Sequence, residues 1–353
     1  MKNNQIKDRS RLNEIVQPLT DWYRQNKRIL PWRDQNNAYY TWVSEIMLQQ
    51  TRVEAVKPYF QRFIGELPDV QALAECPEEK LMKLWEGLGY YSRVRNMQAA
   101  AKQVMEEYDG KMPADHRALL RLKGIGPYTA GAVASIAFSL PFAAVDGNVL
   151  RVMSRVFADE RDIMLQQTKR AWEEEINDAL TGEIAGDVNQ ALMELGALVC
   201  LPNGAPKCEV CPLAAQCKGR AAGRAEQLPV KTAKPEKTLV PVTAALITGP
   251  QGVLLQRRPS KGLLAGLWEY PNEEAPAWDL AAQLGLEAAD LTQVGQGKHI
   301  FTHIEWHMTA FQAQLPQDAL PEDWVWADRA ALERDYAVPN AFQAFAGAVE
   351  ARL

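Results

Sequence analysis

The chain has 353 residues, 47% of them hydrophobic and 24% charged, with 22 glycines, 21 prolines and a formal net charge of −5. It is too long for one ordinary core, too apolar for a disordered chain, and shows no fixed period that would mark a solenoid. The overall charge argues against a polyanion partner, yet it is unevenly spread: residues 1–237 carry 32 Lys+Arg against 30 Asp+Glu, a net of +2, and residues 238–353 carry 7 against 14, a net of −7. A net of +2 holds no polyanion by bulk field, so phosphate binding by the first half depends on local basic clusters and oriented N–H groups.

The polar N-terminus, MKNNQIKDRSRLNE, lacks the apolar centre of a signal peptide. The most apolar window, Thr129 to Val145, is broken by Ser135, Ser139 and Pro141, and together these features predict a cytoplasmic protein outside the membrane. From Leu12 to about Leu198 the apolar residues recur at three and four, as in LNEIVQPLTDWYRQ and EEKLMKLWEGL. This predicts an all-α region, divided into helices of ordinary length at Pro31, Pro68, Pro113 and Pro141. Within it, in YYTWVSEIMLQQTRVEAV, Glu45 sits among Trp42, Val43, Ile46, Met47 and Leu48. A carboxyl on so apolar a segment either turns outward to solvent or is buried with its pKa raised, and in the second state it can donate a proton.

Further on, RALLRLKGIGPYTAGAVASIAF predicts a helix ending at Gly124, a turn through Ile125 and Gly126, and a second helix restarting at Pro127, where the missing N–H costs nothing. Glycines let a backbone approach a ligand closely, and the free N–H groups of a helix start suit an anion. A plain helix–helix corner explains the two glycines alone; Lys123 and the Tyr-Thr-Ala-Gly that follows point to phosphate. In AAVDGNVLRVMSRVF, Asp146 precedes an amphipathic helix and reads as its N-cap. The local dipole also favours its charged form, so it can face a developing cation. One carboxyl poised as an acid and one kept ionised are what cleavage of a glycosidic bond through an oxocarbenium-like state requires.

Four of the five cysteines are spaced Cys200-x7-Cys208-x2-Cys211-x5-Cys217. Four thiolates so close in sequence can close round one compact centre. The uneven spacing favours a [4Fe–4S] cluster over structural zinc, whose usual two CxxC pairs stand a dozen or more residues apart. Lys207, Lys218 and Arg220 beside the run suggest a phosphate-contacting rim. Cys76, far away in LAECPEEK, reads as a small buried hydrophobe.

Residues 219–237, basic and without periodicity, read as a linker. Beyond it, LVPVTAALITGPQGVLLQRRP predicts strand, turn and strand, HIFTHIEWHMTAFQAQL another strand, and DLAAQLGL a helix, so residues 238–353 read as α+β.

The motifs RILPWRD, SEIMLQQT, GLGYYSRVRN, LKGIGPYTAGAV, VDGNVLRV, the four cysteines and GLLAGLWEYP extend over nearly the whole chain. Together they resemble the helix-hairpin-helix base-excision glycosylases, and within them the adenine DNA glycosylases of the MutY type, with their Nudix-like C-terminal domain. The resemblance implies an all-α catalytic region over 1–218, made of a helical barrel at about 33–134 and a cluster subdomain from about 1–32 and 135–218, followed by the linker and a recognition domain over 238–353. It implies a monomer that removes adenine mispaired with 8-oxoguanine or guanine in double-stranded DNA, associated with the nucleoid through DNA, with one [4Fe–4S] cluster on Cys200, Cys208, Cys211 and Cys217. Carried over by position, Glu45 is the general acid and Asp146 the carboxylate that steadies the sugar cation, with Tyr128 and Asn148 close to it. Arg28, Leu30, Trp32, Arg33, Leu48 and Val53 line the adenine pocket. Gln49, Thr51, Leu88 and Tyr90 form the wedge at the mispair, where inserted side chains replace part of the stacking lost on extruding a base. Lys123, Gly124 and Gly126 meet DNA phosphate, and Phe301, Thr302 and His303 read 8-oxoguanine.

Four features refine this picture. Tyr128 stands where strand-nicking relatives place a Schiff-base lysine, which implies a monofunctional enzyme. Thr302 replaces a common Ser but keeps the hydroxyl. The gap between Cys200 and Cys208 is one residue longer than the usual six, a length that Asn203-Gly204 can absorb in a turn. The segment WDLAAQLGLEAAD lacks the run of glutamates with which a Nudix hydrolase holds Mg²⁺. The alternatives are a bifunctional pyrimidine-lesion glycosylase of the endonuclease III type, a non-catalytic DNA-binding protein, and a nucleotide hydrolase in the C-terminal half.

Overall fold

A computed structural model describes residues 2–33, 35–233, 235–287, 290–314 and 323–353. The chain divides into two compact units, one made of Met1–Glu75 with Asn96–Ala233 and the other of Cys76–Arg95 with Lys234–Leu353.

The first unit is built from helices. Its elements include Lys2–Asn26, Ala38–Met47, Val53–Glu66, Pro127–Phe138, Gly147–Phe157, Gln166–Ala179 and Gly182–Leu198, and the four prolines named above all fall between helices. Gly147–Phe157 shows why: Asp146 accepts the Val149 N–H at 2.8 Å and caps the start, and Val149, Val152, Met153 and Val156 then recur on one face. That face packs into a core with Leu19, Tyr23, Trp172, Leu192 and Leu195. Each such fully buried large side chain contributes about 1.5–3 kcal/mol.

The helix before the hairpin is shorter than expected. It spans His116–Arg121, Leu122 is already extended, and Gly124 takes φ +76, a left-handed conformation that ends a helix. A Cβ at Gly124 would also lie 2.6 Å from the Cβ of Asn96. The second helix starts at Pro127 as expected, with Gly126 at its N-cap and no side chain capping it, which leaves its first N–H groups for an outside partner.

The domain boundaries read from sequence do not coincide with the two units. Residues 219–233 belong to the first, where the Thr232 N–H bonds to Asp162 Oδ2 at 3.0 Å and the Ile163 N–H to Val230 O at 3.1 Å. Lys218–Ala221 forms a helical turn rather than linker. Cys76–Arg95 lies in the second unit.

The second unit is α+β. Its strands are β1 (Thr238–Gly249), β2 (Gly252–Arg257), β3 (Trp268–Glu269), β4 (Asn272–Glu273), β5 (Thr292–Ile300), β6 (Ile304–Ala313) and β7 (Trp324–Ala327). They form a mixed sheet in the order β3-β2-β1-β6-β5, with β4 on β1 and β7 on β2. β1 and β6 run parallel from Thr238↔Ile304 to Ile247↔Ala313, and the other pairs are antiparallel. The strand expected from His299 onward is two strands, because the chain reverses through Phe301–His303 between β5 and β6. Leu315 at the end of that expected strand lies outside the described residues. The helix that follows β4, Ala277–Gln283, carries Asp279 and no glutamate. Glu269 is buried and bound by Arg258 Nη1 at 2.7 Å, so this carboxylate is committed to an internal ion pair.

Close packing in the first unit is testable at Gly131, whose added Cβ would sit 2.0 Å from Ala143 O. Gly131→Ala should lower unfolding stability by about 1–3 kcal/mol. Gly65→Ala meets nothing within 4 Å and should leave the denaturant midpoint unchanged or slightly raised.

Candidate active site

The helix Ala38–Met47 starts at Asn37, whose side chain accepts the Tyr40 N–H, and it buries Trp42, Val43, Ser44, Ile46 and Met47 around Glu45. Glu45 is itself only 6% exposed, so of the two orientations open to the sequence the inward one is realised. The helix packs against Pro127–Phe138, and this brings the Tyr128 hydroxyl to Glu45, to which it donates a short hydrogen bond. Burial pushes the Glu45 carboxyl up to about 7; the Tyr128 hydrogen bond and Arg33 pull it down, and the charge of Asp146 raises it further. Burial likewise holds the Tyr128 hydroxyl well above its ordinary value, so it acts as a donor and not as a phenolate.

Asp146 is held by two donors: the Val149 N–H on Oδ1 at 2.8 Å and the Asn148 amide on Oδ2 at 2.6 Å. The helix mouth alone does not keep it at the ordinary value. Burial raises its pKa, and the bonds from Val149 and Asn148, with Arg151 nearby, offset part of that rise. Asn148 is in turn fixed by Arg151, whose Nη2 reaches Asn148 Oδ1 at 2.8 Å and Gly196 O at 2.9 Å, while Nε binds Cys200 O at 2.8 Å.

These groups open on one cavity of about 1080 Å³. Glu45, Tyr128, Asp146 and Asn148 line it, as do Arg28, Leu30, Trp32 and Arg33, and Leu48, Gln49, Thr51 and Val53. The cavity also contains a residue that sequence reasoning missed. Glu194, 1% exposed, accepts Arg28 Nε at 2.8 Å, Arg28 Nη2 at 2.9 Å, the Arg28 N–H at 2.9 Å and Arg33 Nη2 at 2.9 Å. Burial alone would raise its pKa; the hydrogen bonds from Arg28 and Arg33 overcome that and hold it at about 2. Its only trace in the sequence is a charge in the apolar run ALMELGALV, the same pattern that singled out Glu45.

The expected wedge is not gathered at this cavity in full. Leu88 and Tyr90 line a different cavity of about 670 Å³ in the second unit, together with Phe301, Thr302 and His303. There the Tyr90 and Thr302 hydroxyls are 3.2 Å apart. Lys123 is exposed just before the hairpin turn, with its N–H on Gln103 Oε1 at 2.8 Å.

Cys200, Cys208, Cys211 and Cys217 line one small hollow in the first unit, walled by Val152, Val156, Leu195 and Val199. Among the described residues no group of three His, Cys, Asp or Glu side chains stands as a site for a metal ion. The chemistry of the donor set nonetheless fits an iron–sulfur cluster: four cysteine sulfurs round apolar walls, with Arg155 Nη1 at 3.3 Å from Cys200 Sγ and the Arg220 N–H at 3.4 Å from Cys217 Sγ. Burial pushes the Cys211 thiol up to about 11, and the neighbouring Cys200, Cys217 and Cys208 add to the rise, a cost that bound cationic iron would remove. Gly204, at φ +74, turns the longer loop, and Lys207 N–H to Val199 O at 2.9 Å closes it. Cys76 is buried and lies apart from this set.

Residues 43–178 match the family model described as HhH-GPD superfamily base excision DNA repair protein, and residues 242–347 match a NUDIX domain. Adenine DNA glycosylase of Mus musculus is 35% identical over 85% of this chain and 70% of its own length; that of Homo sapiens is 35% identical over 87% and 69%. Among solved structures, a thermostable thymine-DNA glycosylase aligns with TM-score 0.55 at 27% identity, over 60% of this chain and 98% of its own. Endonuclease III in a DNA complex aligns with TM-score 0.50 at 22% identity over 60% and 97%, a likeness of fold.

Glu194→Ala should destabilise the protein by about 3 kcal/mol or more, since it leaves the Arg28 and Arg33 charges without their carboxylate. Because the folded pKa of Glu194 lies below the ordinary 4.5, the wild-type advantage is complete above that pH and fades only as pH falls toward 2. Urea unfolding of both proteins at pH 7 and pH 3 checks the magnitude and the sign.

Proposed function

The chain belongs to the adenine DNA glycosylase family, and on that footing we propose that it hydrolyses the N-glycosidic bond of adenine mispaired with 8-oxoguanine or guanine, without nicking the strand. The observation that carries this reading is the convergence of Glu45 and Asp146 on one cavity, the first with its pKa at about 7 and the second oriented by two donors.

The adenine is everted into that cavity, at a cost of a few kcal/mol in lost pairing and stacking. Glu45, protonated below about pH 7 and aimed by Tyr128, gives its proton to a ring nitrogen of adenine as the C1′–N bond breaks and its electron pair leaves with the base. Asp146, kept in place by the Val149 N–H and the Asn148 amide, faces the positive charge that develops on the deoxyribose. Water then adds to C1′, and a carboxylate takes its proton. Tyr128 has no amine to form a Schiff base, which leaves the strand intact. The uncapped N–H groups at Gly126, with Gly124 and Lys123, hold DNA phosphate.

The cavity lined by Leu88, Tyr90, Phe301, Thr302 and His303 takes the opposite base, 8-oxoguanine, with Thr302 offering a hydroxyl hydrogen bond. Cys200, Cys208, Cys211 and Cys217 would hold a [4Fe–4S] cluster, which would cross-link the loop that carries them. Arg155 and the Arg220 N–H orient the sulfurs of Cys200 and Cys217.

The test is single-turnover release of adenine from duplexes with 8-oxoguanine or guanine opposite. Release should be faster opposite 8-oxoguanine and should fall as pH rises through about 7, because the acid form of Glu45 is then lost. Glu45→Gln should reduce release by about 10²–10⁴-fold while sparing binding of the mispair; undiminished release rejects the assignment. Borohydride should trap no enzyme–DNA adduct. The purified chain should carry about four irons with broad visible absorbance, and zinc in their place would overturn the cluster.

A further inference from the structure

The loop that carries Leu88 and Tyr90 is fastened on both sides to C-terminal residues of its own unit. Before the loop, Lys83 pairs with Glu86 and donates to Leu332 O at 2.6 Å and Tyr336 O at 3.1 Å. Leu332 lies in the last turn of the helix Arg329–Arg334, where carbonyls lack intrahelical partners and a cation is favoured. The other oxygen of Glu86 accepts the Val338 N–H at 2.7 Å, and the Asn340 amide donates to Gly87 O at 2.9 Å. After the loop, Arg95 reaches Ala265 O at 2.8 Å and Glu78 at 2.8 Å.

Between these fastenings the backbone is left-handed at Gly87 (φ 95), Gly89 (φ 67) and Tyr90 (φ 48). The glycines take such angles freely, but a tyrosine does so at a cost and keeps the conformation only where its surroundings impose it. Tyr90 is 45% exposed, so burial supplies only part of that. The Arg93 guanidinium lies over its ring at 5.6 Å, the Thr302 hydroxyl is 3.2 Å from its own, and its carbonyl accepts the Arg93 N–H at 2.8 Å, between the fastenings on either side.

We propose that Lys83 is a positioning residue for lesion recognition. By tying residues 83–87 to residues 332–340, it sets the Leu88–Tyr90 loop against the Phe301–His303 turn, so that both faces of the cavity present one fixed shape to the opposite base. Lys83 suits the task because an ammonium offers three donors and no acceptor, and three acceptors, Glu86 Oε2, Leu332 O and Tyr336 O, surround it. A neutral side chain of similar length leaves those acceptors and loosens the loop on that side, where the Val338–Glu86 and Asn340–Gly87 bonds remain, at no cost to Glu45 or Asp146. The inference rests on the reading that this cavity takes 8-oxoguanine.

The experiment compares full-length wild type, Lys83→Met and Lys83→Arg in single-turnover release of adenine opposite 8-oxoguanine and opposite guanine, with thermal unfolding of each. For Lys83→Met the ratio of the two rates should fall about tenfold through loss on the 8-oxoguanine duplex, with guanine-opposite release within about twofold of wild type. Lys83→Arg, which keeps a charge and several donors, should recover a substantial part of the ratio. Asn340→Ala, which removes the bond to Gly87 O, should lower the ratio in the same direction by a smaller factor and serves if Lys83→Met does not fold. A folded Lys83→Met with the wild-type ratio, or equal losses on both duplexes, overturns the proposal. A wild type without preference for 8-oxoguanine instead refutes the reading of the cavity.

Discussion

A carboxyl group is kept neutral near pH 7 by taking it out of water, and the hydrogen bond from Tyr128 to Glu45 lets that happen without leaving the carboxyl unsatisfied. Burial supplies the larger effect and raises the pKa; the hydroxyl pulls it back and holds one carboxyl oxygen in place. Both depend on two helices packing closely, Ala38–Met47 on Pro127–Phe138, and Gly131 lets the second of these also lie against the Ala143 carbonyl. Apolar packing and the raised pKa of Glu45 are therefore coupled in the same two helices.

The cavity handles its other charges by pairing. Glu194 is as deeply buried as Glu45, yet its pKa moves in the opposite direction because two guanidinium groups surround it. The pair Arg28–Glu194, with Arg33, braces the segment Arg28–Arg33 against the helix Gly182–Leu198 and leaves Leu30 and Trp32 to form the apolar wall. Asp146 lies between these extremes, buried enough to be raised and bonded enough to be steadied. A hydrogen-bonded series from Asp146 through Asn148 and Arg151 to the carbonyl of Cys200 joins the carboxylate to the loop of the four cysteines, so the orientation of one depends on the order of the other.

The second unit is built on a Nudix-like sheet. Its helix Ala277–Gln283 carries no glutamate, and Glu269 is neutralised by Arg258. What remains available is the turn between β5 and β6 and the cavity beside it, whose opposite face is supplied by a segment from far earlier in the chain. Residues 76–95 thus belong structurally to a unit whose other residues lie more than a hundred positions downstream.

The sequence by itself determined the helical character of the first half, the α+β character of the second, the hairpin at Gly124–Gly126 and the N-cap at Asp146, because periodicity, capping and turn chemistry are local, and its motifs named 12 of the 25 residues that line the larger cavity. It could not decide whether Glu45 faces inward, that Glu194 joins Arg28 and Arg33, that the run after His299 reverses at Phe301–His303, or that Cys76–Arg95 belongs to the second unit and 219–233, read as linker, to the first. Those are decided by which distant segments meet. Desolvation and ion pairing act through space and depend on neighbours far apart in the chain, as Arg28 and Glu194 are at 166 positions, and no local pattern encodes such a neighbour.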